Sequence, residues 1–206
     1  MTRVKICGMT RQGDVKAAVA AGADALGFIV EIERSRRSLS AEQARDLIKN
    51  VPIFVPTVAV MEPSTVEEAA RLAGITGADL LQLYGFAPEE IAALRGQVQK
   101  AKIIAAAPAG PEARRLGEVA DAVLLDTMKD GLLGGSGEAH DWAQSAMLAK
   151  ELPVPAILAG GLDPHNVKAA VSQVRPFAVD VSSGVETDGR KDARKMRSFV
   201  EAVKGC

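Results

Sequence analysis

The sequence predicts an α/β fold and, within that class, a single (β/α)8 TIM barrel. Three observations lead to this prediction: short apolar runs alternate with helical patterns along the chain, the core must be aliphatic, and the signatures of open nucleotide-binding sheets are missing. Of the 206 residues, 48% are hydrophobic and only 3% are aromatic. Val, Ile, Leu and Ala must therefore fill the interior, as they do in buried parallel strands and their covering helices. We expect residues 1–206 to form one domain with a substantial core.

The candidate strands are eight short apolar runs. They occupy residues 4–7, 25–30, 57–61, 80–83, 102–106, 122–126, 156–159 and 178–181. Helix signals lie between them, because Ser40 and Ser64 each begin a capping box and Pro88 and Pro164 stand at first helical positions. A repeated triplet ending in Ala-Asp also closes a helix directly before a strand. It occurs at 22–24, 77–79 and 119–121.

The repeated unit is a strand followed by a helix, and eight units of about 26 residues make a compact barrel near the usual lower limit of about 200 residues. An open, doubly wound sheet is the alternative. Against it, no G-x-G-x-x-G follows the first strand and no G-x-x-x-x-G-K-[ST] occurs in the sequence. These motifs mark the nucleotide sites of open sheets, so the sequence favours the closed barrel.

Charge and hydropathy argue against nucleic acid and membranes as partners. The chain has 25 Lys and Arg residues against 26 Asp and Glu, a net charge of -1 and a pI near 6.2, so it lacks the basic excess that binds nucleic acid. The longest apolar stretch, 51–61, is interrupted by Pro52 and Pro56, and the first residues do not resemble an export signal. We expect a cytoplasmic monomer or homodimer that binds neither nucleic acid nor membrane and keeps Cys7 and Cys206 reduced.

Chemistry in a (β/α)8 barrel takes place at the C-terminal ends of the strands, and two residues there could transfer protons. Cys7 ends the first strand, where a thiolate could face the pocket with its acidity raised by a nearby cation or helix N-terminus; the plainer interpretation is a small apolar filler. Asp126 ends the sixth strand, so we expect burial to raise the pKa of its carboxyl, as a general acid requires. The plainer interpretation is an aspartate that caps its own loop through Thr127.

Strand alternation places Lys5 on the same side as Cys7, and closure of the barrel brings Asp180 beside it. We therefore expect a Lys5–Asp180 ion pair inside the barrel. Its role stays open between a purely structural one and one in holding Cys7. Glu31 and Glu33, after the second strand, are the alternative candidates for a base.

Two glycine-rich turns follow the seventh and eighth strands, where many such barrels bind phosphate. They contain Gly160 and Gly161 in the first turn, and Ser182, Ser183 and Gly184 in the second. Glycines let backbone amides approach the phosphate oxygens, and serine hydroxyls add donors. One such turn is more often only a tight turn, but two at these positions predict a small phosphorylated substrate. Gly134 and Gly135, in the loop after Asp126, predict a further substrate contact or a flexible lid.

The second strand is followed by Arg34, Arg36 and Arg37, a cluster that is usually a solvated loop. One of these arginines could instead bind a substrate carboxylate through two of its nitrogens. The two histidines, His140 and His165, do not stand near other ligands at metal spacing. We therefore expect no catalytic metal.

Several segments together resemble the phosphoribosylanthranilate isomerase family. They are KICGMTR at 5–11, GADALGF at 22–28, LLDT at 124–127, GGSG at 134–137 with DW at 141–142, LAGGL at 158–162 and DVSSGVE at 180–186. The similarity extends from end to end, and the combination of the first and last motifs is highly specific. It implies an Amadori rearrangement of N-(5'-phosphoribosyl)anthranilate in tryptophan biosynthesis, without metal or cofactor.

The same resemblance implies roles for residues already named. Asp126 would protonate the furanose ring oxygen, Cys7 would remove the C2 proton, and Arg37 would bind the anthranilate carboxylate. The turns after the seventh and eighth strands would hold the phosphate. The chain departs from the family motifs at Arg36, where the family has proline, and at Tyr84, where it has histidine.

Two other functions stay open at the level of the sequence. An aminoaldose-phosphate isomerase of histidine biosynthesis, or an enzyme that accepts both substrates, tends to carry an aspartate on the first strand, where this chain has Cys7. A barrel that binds a phosphorylated ligand without turnover would need neither Cys7 nor Asp126.

Overall fold

The computed structural model describes residues 1–98, 100–129, 132–133 and 142–206. Within these residues eight parallel strands form a closed barrel, and eight α-helices surround it, which confirms the predicted fold. The first strand pairs with both the second and the last strand, and these pairings close the sheet. None of the described helices is both long and apolar enough to cross a bilayer.

Strands and helices alternate along the chain. The strands are β1 Arg3–Cys7, β2 Ala25–Val30, β3 Thr57–Met61, β4 Leu80–Leu83, β5 Lys102–Ala107, β6 Ala122–Leu125, β7 Ala156–Leu158 and β8 Ala178–Val181. The helices are α1 Gln12–Ala20, α2 Ala41–Ile48, α3 Val66–Thr76, α4 Pro88–Arg95, α5 Pro111–Gly117, α6 Trp142–Glu151, α7 Val167–Val174 and α8 Ala193–Lys204.

The loops at the C-terminal ends of the strands contain short additional strands and one 3-10 helix. Ser38–Leu39 adds to β2, Met128–Lys129 pairs with Leu132–Leu133, Glu186–Thr187 pairs with Arg190–Lys191, and Ser183–Val185 is a 3-10 helix. Each barrel strand lies within one residue of the run that predicted it. β6 ends at Leu125, so Asp126 is the first residue beyond the strand.

One predicted capping box is confirmed and the other is shifted by one residue. At α2, the Ser40 hydroxyl accepts from the Gln43 amide at 3.2 Å and the Gln43 side chain accepts from the Ser40 amide at 3.0 Å. At α3, the cap is Thr65, whose hydroxyl accepts from the Glu68 amide at 3.1 Å, while the Glu68 carboxylate accepts from the Ser64 amide at 2.7 Å. A capping box that begins at Ser64 would pair the Ser64 amide with Glu67, three residues later. In the structure the Glu68 carboxylate accepts from that amide instead.

The predicted start of α7 at Pro164 is wrong, whereas Pro88 does begin α4. α7 begins at Val167, because Asp163 and Asn166 first form a turn of their own. The Asn166 side chain accepts from the Asp163 amide at 2.9 Å, and the Asp163 carboxylate accepts from the Asn166 amide at 3.0 Å. Such local side-chain bonds compete with helix formation.

The repeated triplets do more than end helices, because their aspartates connect neighbouring strands. Each carboxylate accepts a hydrogen bond from a backbone amide at the start of the preceding strand. The pairs are Asp24 with Val4 at 2.8 Å, Asp79 with Thr57 at 2.8 Å and Asp121 with Ile103 at 2.9 Å. These bonds hold the N-terminal end of the barrel, opposite the C-terminal ends of the strands.

Two apolar layers lie on the two sides of the strands. The outer layer packs strand residues such as Phe28 and Leu81 against helix residues such as Phe199. The inner layer fills the barrel and contains Cys7, Val58, Val60, Tyr84, Ile104, Ala106, Leu124, Ile157, Ala159 and Ala178. Small and aliphatic side chains leave room in this interior for a few polar groups.

Candidate active site

The C-terminal end of the barrel interior contains both predicted proton-transfer residues. Cys7 is the last residue of β1 and Asp126 directly follows β6, and both are buried. Tyr84 directly follows β4 and links the two residues. It packs in the same inner apolar layer as Cys7 and donates a hydrogen bond to Asp126 at 2.9 Å. The barrel thus gathers these residues around one apolar space.

Two groups of the described residues donate hydrogen bonds to the Asp126 carboxyl. Tyr84 Oη donates to Oδ2 at 2.9 Å, and the Thr127 amide donates to Oδ1 at 2.7 Å. Burial raises the pKa of Asp126 to about 6, although both bonds favour the charged form and oppose this shift. The predicted rise is confirmed, and the local bond to Thr127, expected for a capping role, is present as well. A carboxyl with this pKa can carry a proton near neutral pH.

Cys7 lies in close contact with glycines and cations. A Cβ at Gly27 would lie 2.8 Å from Cys7 Sγ, so a larger residue on β2 would displace the thiol. The Ser182 hydroxyl donates to the Cys7 carbonyl at 3.2 Å and ties the end of β1 to the turn after β8. Burial raises the pKa of the thiol more than Lys5 and Lys191 lower it. The sequence predicted a more acidic thiol at Cys7, but in the free protein the pKa of this thiol is raised. The expected nearby cation, Lys5, is in place.

The predicted Lys5–Asp180 pair is confirmed. Lys5 Nζ lies 2.9 Å from Asp180 Oδ1, and the two residues are direct partners in the β1–β8 register. Lys5 also donates to Gln82 Oε1 at 2.9 Å. Burial disfavours the ammonium, but attraction to Asp180 and to Cys7 outweighs it and raises the pKa of Lys5. Lys5 is therefore a permanent buried cation beneath Cys7.

The two glycine-rich turns touch each other. A Cβ at Gly184 would overlap the carbonyl of Leu162, and a Cβ at Gly160 would overlap the Thr127 side chain. Gly160 and Gly161 have φ values of +85° and +60°, which favour glycine. Ser183 is exposed at the start of its 3-10 helix, whereas Ser182 already donates to Cys7. Backbone amides and the Ser183 hydroxyl are thus the donors that these turns offer to an anion.

Arg37 lies at the same end of the barrel and is held by Glu186, a residue to which sequence reasoning assigned no role. Arg37 Nε and Nη2 donate to the two Glu186 oxygens at 2.6 and 2.8 Å. Arg36 and Lys191 bind the same carboxylate at 2.6 and 2.9 Å. Burial opposes the charge of Glu186, but these cations lower its pKa to about 2.

A cavity of about 240 Å³ lies beside this cluster. Its lining includes Gly8, Thr10, Arg11, Arg36, Arg37, Glu186, Gly189, Arg190 and Lys191. Five of these side chains are cationic and one is anionic, so the cavity attracts anions. Gly8 has a φ of +81°, and a Cβ there would lie 2.5 Å from Arg37 Cδ, so glycine allows Arg37 to pass over the end of β1.

Other sequence candidates lie elsewhere. Glu31 is exposed and accepts hydrogen bonds from the Ala41 amide at 3.4 Å and from Arg71 at 3.1 Å. Gly134, Gly135 and His140 lie outside the described residues. Among the residues that the structure describes, no three His, Cys, Asp or Glu side chains form a group that could hold a metal ion.

Comparison with known proteins agrees with this geometry. A family model described as N-(5'phosphoribosyl)anthranilate (PRA) isomerase matches residues 4–202. The N-(5'-phosphoribosyl)anthranilate isomerase of Methanothrix thermoacetophila is 51% identical over 100% of both chains. A crystal structure of monomers generated from the dimeric Thermotoga maritima enzyme is 33% identical, with a TM-score of 0.83 and full coverage of both chains.

A further solved structure contains a ligand. It is a phosphoribosyl anthranilate isomerase in complex with reduced 1-(o-carboxyphenylamino)-1-deoxyribulose 5-phosphate, and it is 34% identical with a TM-score of 0.82 over 100% of both chains. Full-length identity, the family match and the shared barrel all agree. The chain belongs to the phosphoribosylanthranilate isomerase family, the cofactor-free isomerases of tryptophan biosynthesis.

Proposed function

We propose that Asp126 is the general acid and Cys7 the general base in the isomerisation of N-(5'-phosphoribosyl)anthranilate by this chain. One observation carries the proposal: a carboxyl with a pKa of about 6 and a buried thiol lie at the same end of one barrel interior. Groups that transfer protons must be positioned near the reacting atoms and able to exist in the required protonation state.

Two proton transfers produce the rearrangement. Asp126 donates a proton to the furanose ring oxygen while the C1–O bond breaks and the nitrogen lone pair forms a protonated Schiff base. The Cys7 thiolate then removes the C2 proton; the C–H electrons form the C1–C2 double bond, and the C–N π electrons return to nitrogen. The enolamine tautomerises to the ketone, 1-(2-carboxyphenylamino)-1-deoxyribulose 5-phosphate. Asp126 ends as a carboxylate and Cys7 as a thiol, so both must be reset before the next turnover.

The remaining site residues bind the two anionic ends of the substrate. We infer that Gly160, Gly161, Ser183 and Gly184 hold the phosphate through backbone amides and a hydroxyl, while Ser182 mainly supports Cys7. Arg37 binds the anthranilate carboxylate from the cationic cavity. The excess of positive charge there supports this assignment, because Glu186 neutralises only part of it.

The pKa values of the free protein predict the pH dependence of kcat/KM. The reaction needs Asp126 protonated and Cys7 ionised, but Asp126 has the lower pKa. Below about pH 6, each unit of rising pH increases the thiolate about tenfold while Asp126 stays protonated. Between the two pKa values the gain of thiolate cancels the loss of acid, and above the pKa of Cys7 only the loss remains. The profile therefore rises to about pH 6, stays level, and falls at high pH.

The test is the pair of variants Cys7→Ser and Asp126→Asn. Each keeps the shape of the side chain and removes its proton transfer, so kcat should fall by about 10² to 10⁴ with little change in KM. Asp126→Asn should also remove the inflection near pH 6. That loss separates the enzyme group from the substrate phosphate, whose second ionisation lies near the same pH. Cys206→Ser is the matched control, because this exposed cysteine lies outside the site.

Near-normal turnover of Cys7→Ser would contradict the assignment and point to another base. An inflection near pH 6 that persists in Asp126→Asn would mean that the profile reports the substrate phosphate instead of Asp126.

We also propose that the chain forms a homodimer in the cytoplasm, where Cys7 stays reduced. Ile53 and Phe54 are 92% and 90% exposed in the loop before β3, and Phe177 is partly exposed before β8. All three lie at the N-terminal end of the barrel. Large exposed apolar side chains at one end of the barrel favour burial against a partner, and a second copy is supported by the dimeric Thermotoga maritima relative.

A further inference from the structure

A continuous chain of buried hydrogen bonds crosses the barrel interior from Lys5 to Asp126. Lys5 Nζ donates to Gln82 Oε1 at 2.9 Å, Gln82 Nε2 donates to Tyr84 Oη at 3.2 Å, and Tyr84 Oη donates to Asp126 Oδ2 at 2.9 Å. Asp180 anchors the far end through its ion pair with Lys5. All five side chains are buried.

The direction of this chain is fixed by its first member. A lysine ammonium has only donors, so the oxygen of the Gln82 amide must face Lys5 and its nitrogen must face Tyr84. An amide nitrogen cannot accept, so the Tyr84 oxygen accepts from Gln82. The phenol proton is then directed towards Asp126. Burial and the negative charge of Asp126 raise the pKa of Tyr84 well above its usual range, which keeps that proton on the phenol.

We propose that Tyr84 is a positioning residue for the general acid: oriented by Lys5 through Gln82, it keeps Asp126 Oδ2 as a hydrogen-bond acceptor and sets the acid strength of the carboxyl. This proposal rests on the proposed role of Asp126. Without the phenol, the apolar interior would hold the proton on Asp126 too tightly for ready transfer to the ring oxygen, because burial favours the neutral carboxyl.

The surroundings of Asp126 support this assignment. Among the described residues, the charged or titratable groups that act most on it are Lys5 from β1, Tyr84 after β4 and Asp180 from β8, while Cys7 from β1 acts on Tyr84. The interior residues of β2, β3, β5 and β7 are glycine or aliphatic. They are Gly27, Ile29, Val58, Val60, Ile104, Ala106 and Ile157, with Ala159 directly after β7. Tyr84 is therefore the principal side-chain donor to this carboxyl.

The test is Tyr84→Phe, which removes the hydroxyl and keeps the ring. The pKa of Asp126 is measured directly by carbon NMR of the protein labelled at aspartate carboxyls, with Asp126→Asn to identify the signal. A lost hydrogen bond to a charged group should raise this pKa by about one unit. The inflection of kcat/KM near pH 6 should move upward by the same amount, while KM changes less than about twofold.

Two further variants separate orientation from packing. Gln82→Met removes the donor that orients the phenol, so it should raise the pKa of Asp126 by less than Tyr84→Phe does. Adding it to Tyr84→Phe should produce no further rise. Ile104→Val is the matched control, since Ile104 is the β5 partner of Gln82 but makes no side-chain hydrogen bond. In Ile104→Val, the pKa of Asp126 and the pH profile of kcat/KM should equal those of the parent.

An unchanged Asp126 pKa in folded Tyr84→Phe overturns the proposal. If Tyr84→Phe does not fold, an unchanged pKa in Gln82→Met overturns it in the same way. If the pKa of Asp126 rises in the NMR titration while the inflection of kcat/KM stays near pH 6, the acid role of Asp126 is overturned. The effect of the Tyr84 hydrogen bond on the carboxyl would then still hold. The experiment therefore distinguishes failure of this inference from failure of the proposed function.

Discussion

Glu186 shows how one residue organises the cationic side of the site. Its carboxylate binds Arg36, Arg37 and Lys191, and so many donors fix it as an anion. The two arginines differ in setting: the side chain of Arg37 is 15% exposed and that of Arg36 is 60% exposed. Arg37 also approaches Gly8, next to Cys7. The more enclosed guanidinium is therefore the better placed to meet a substrate carboxylate.

We expect Arg37→Ala to raise KM roughly tenfold or more, because a lost charged contact leaves the substrate carboxylate beside Glu186 without its partner. Arg36→Ala should raise KM less than about threefold, since the Arg36 side chain is largely exposed and Arg37 and Lys191 still hold Glu186. Steady-state kinetics of the two variants measures the difference. The opposite order would place the substrate carboxylate at Arg36 and would show that this loop holds it differently.

Individual residues also mark the limit of prediction from sequence. Strand ends made Cys7 and Asp126 candidates and located both correctly at the C-terminal end of the barrel, because apolar runs show where each strand stops. Sequence reasoning assigned no role to Gln82 or Glu186, whose contacts only the structure reveals. A glutamine within a strand looks ordinary until barrel closure brings Lys5 to it. A glutamate in a loop acquires its role only when Arg36 and Arg37 from the loop after β2 and Lys191 from its own loop converge on it.

At the level of the elements, the turns after β7 and β8 act as one unit. The contact of Gly184 with the Leu162 carbonyl leaves no space for a side chain between them. Asn166 also donates to the Gly161 carbonyl at 2.8 Å, which fixes the first turn from the direction of α7. The spacing of the two turns, and so the position of the proposed phosphate donors, depends on this close approach.

Gly184→Ala should separate the two turns and weaken phosphate binding, so KM and the inhibition constant of inorganic phosphate should rise together. The control is Gly74→Ala in α3, where a Cβ meets nothing within 4 Å. That substitution should stabilise the protein by about 0.5–1 kcal/mol and leave KM unchanged. Competition experiments with phosphate and thermal unfolding give both values. If phosphate inhibits Gly184→Ala as strongly as the parent, these turns do not hold the phosphate.

Element boundaries were predicted well where periodicity decides them and poorly where side chains compete. Apolar runs located all eight strands, but Thr65 displaced Ser64 as a cap and Asp163 delayed α7. Each outcome depends on which of several nearby side chains reaches a free amide, and composition does not reveal that. The role of Asp24, Asp79 and Asp121 between strands was also hidden, although their repetition was visible.

At the scale of the whole molecule, the proposed catalytic residues and the exposed apolar loop lie at opposite ends of the barrel. We therefore expect the parent to be a dimer in analytical ultracentrifugation and the double variant Ile53→Ser, Phe54→Ser to be an active monomer with nearly unchanged kcat. Met147→Ser is the control, because Met147 is exposed on α6 and should not affect the dimer. A monomeric parent, or a double variant that remains dimeric, would contradict the proposed interface.

The sequence also predicts that residues 1–206 form a single domain, and this stays a prediction.

Closure of the barrel also has a consequence for the order of folding. β1 finds one of its two partners in β8, and the hydrogen bond from Ser182 to Cys7 joins residues 175 positions apart. Contacts of such long range form late, because loop-closure entropy must be overcome first. During synthesis on the ribosome, β1 emerges early but keeps an unpaired edge until β8 has followed. The thiol acquires its full surroundings only then, so the proposed proton-transfer site is not complete before the last strand has formed.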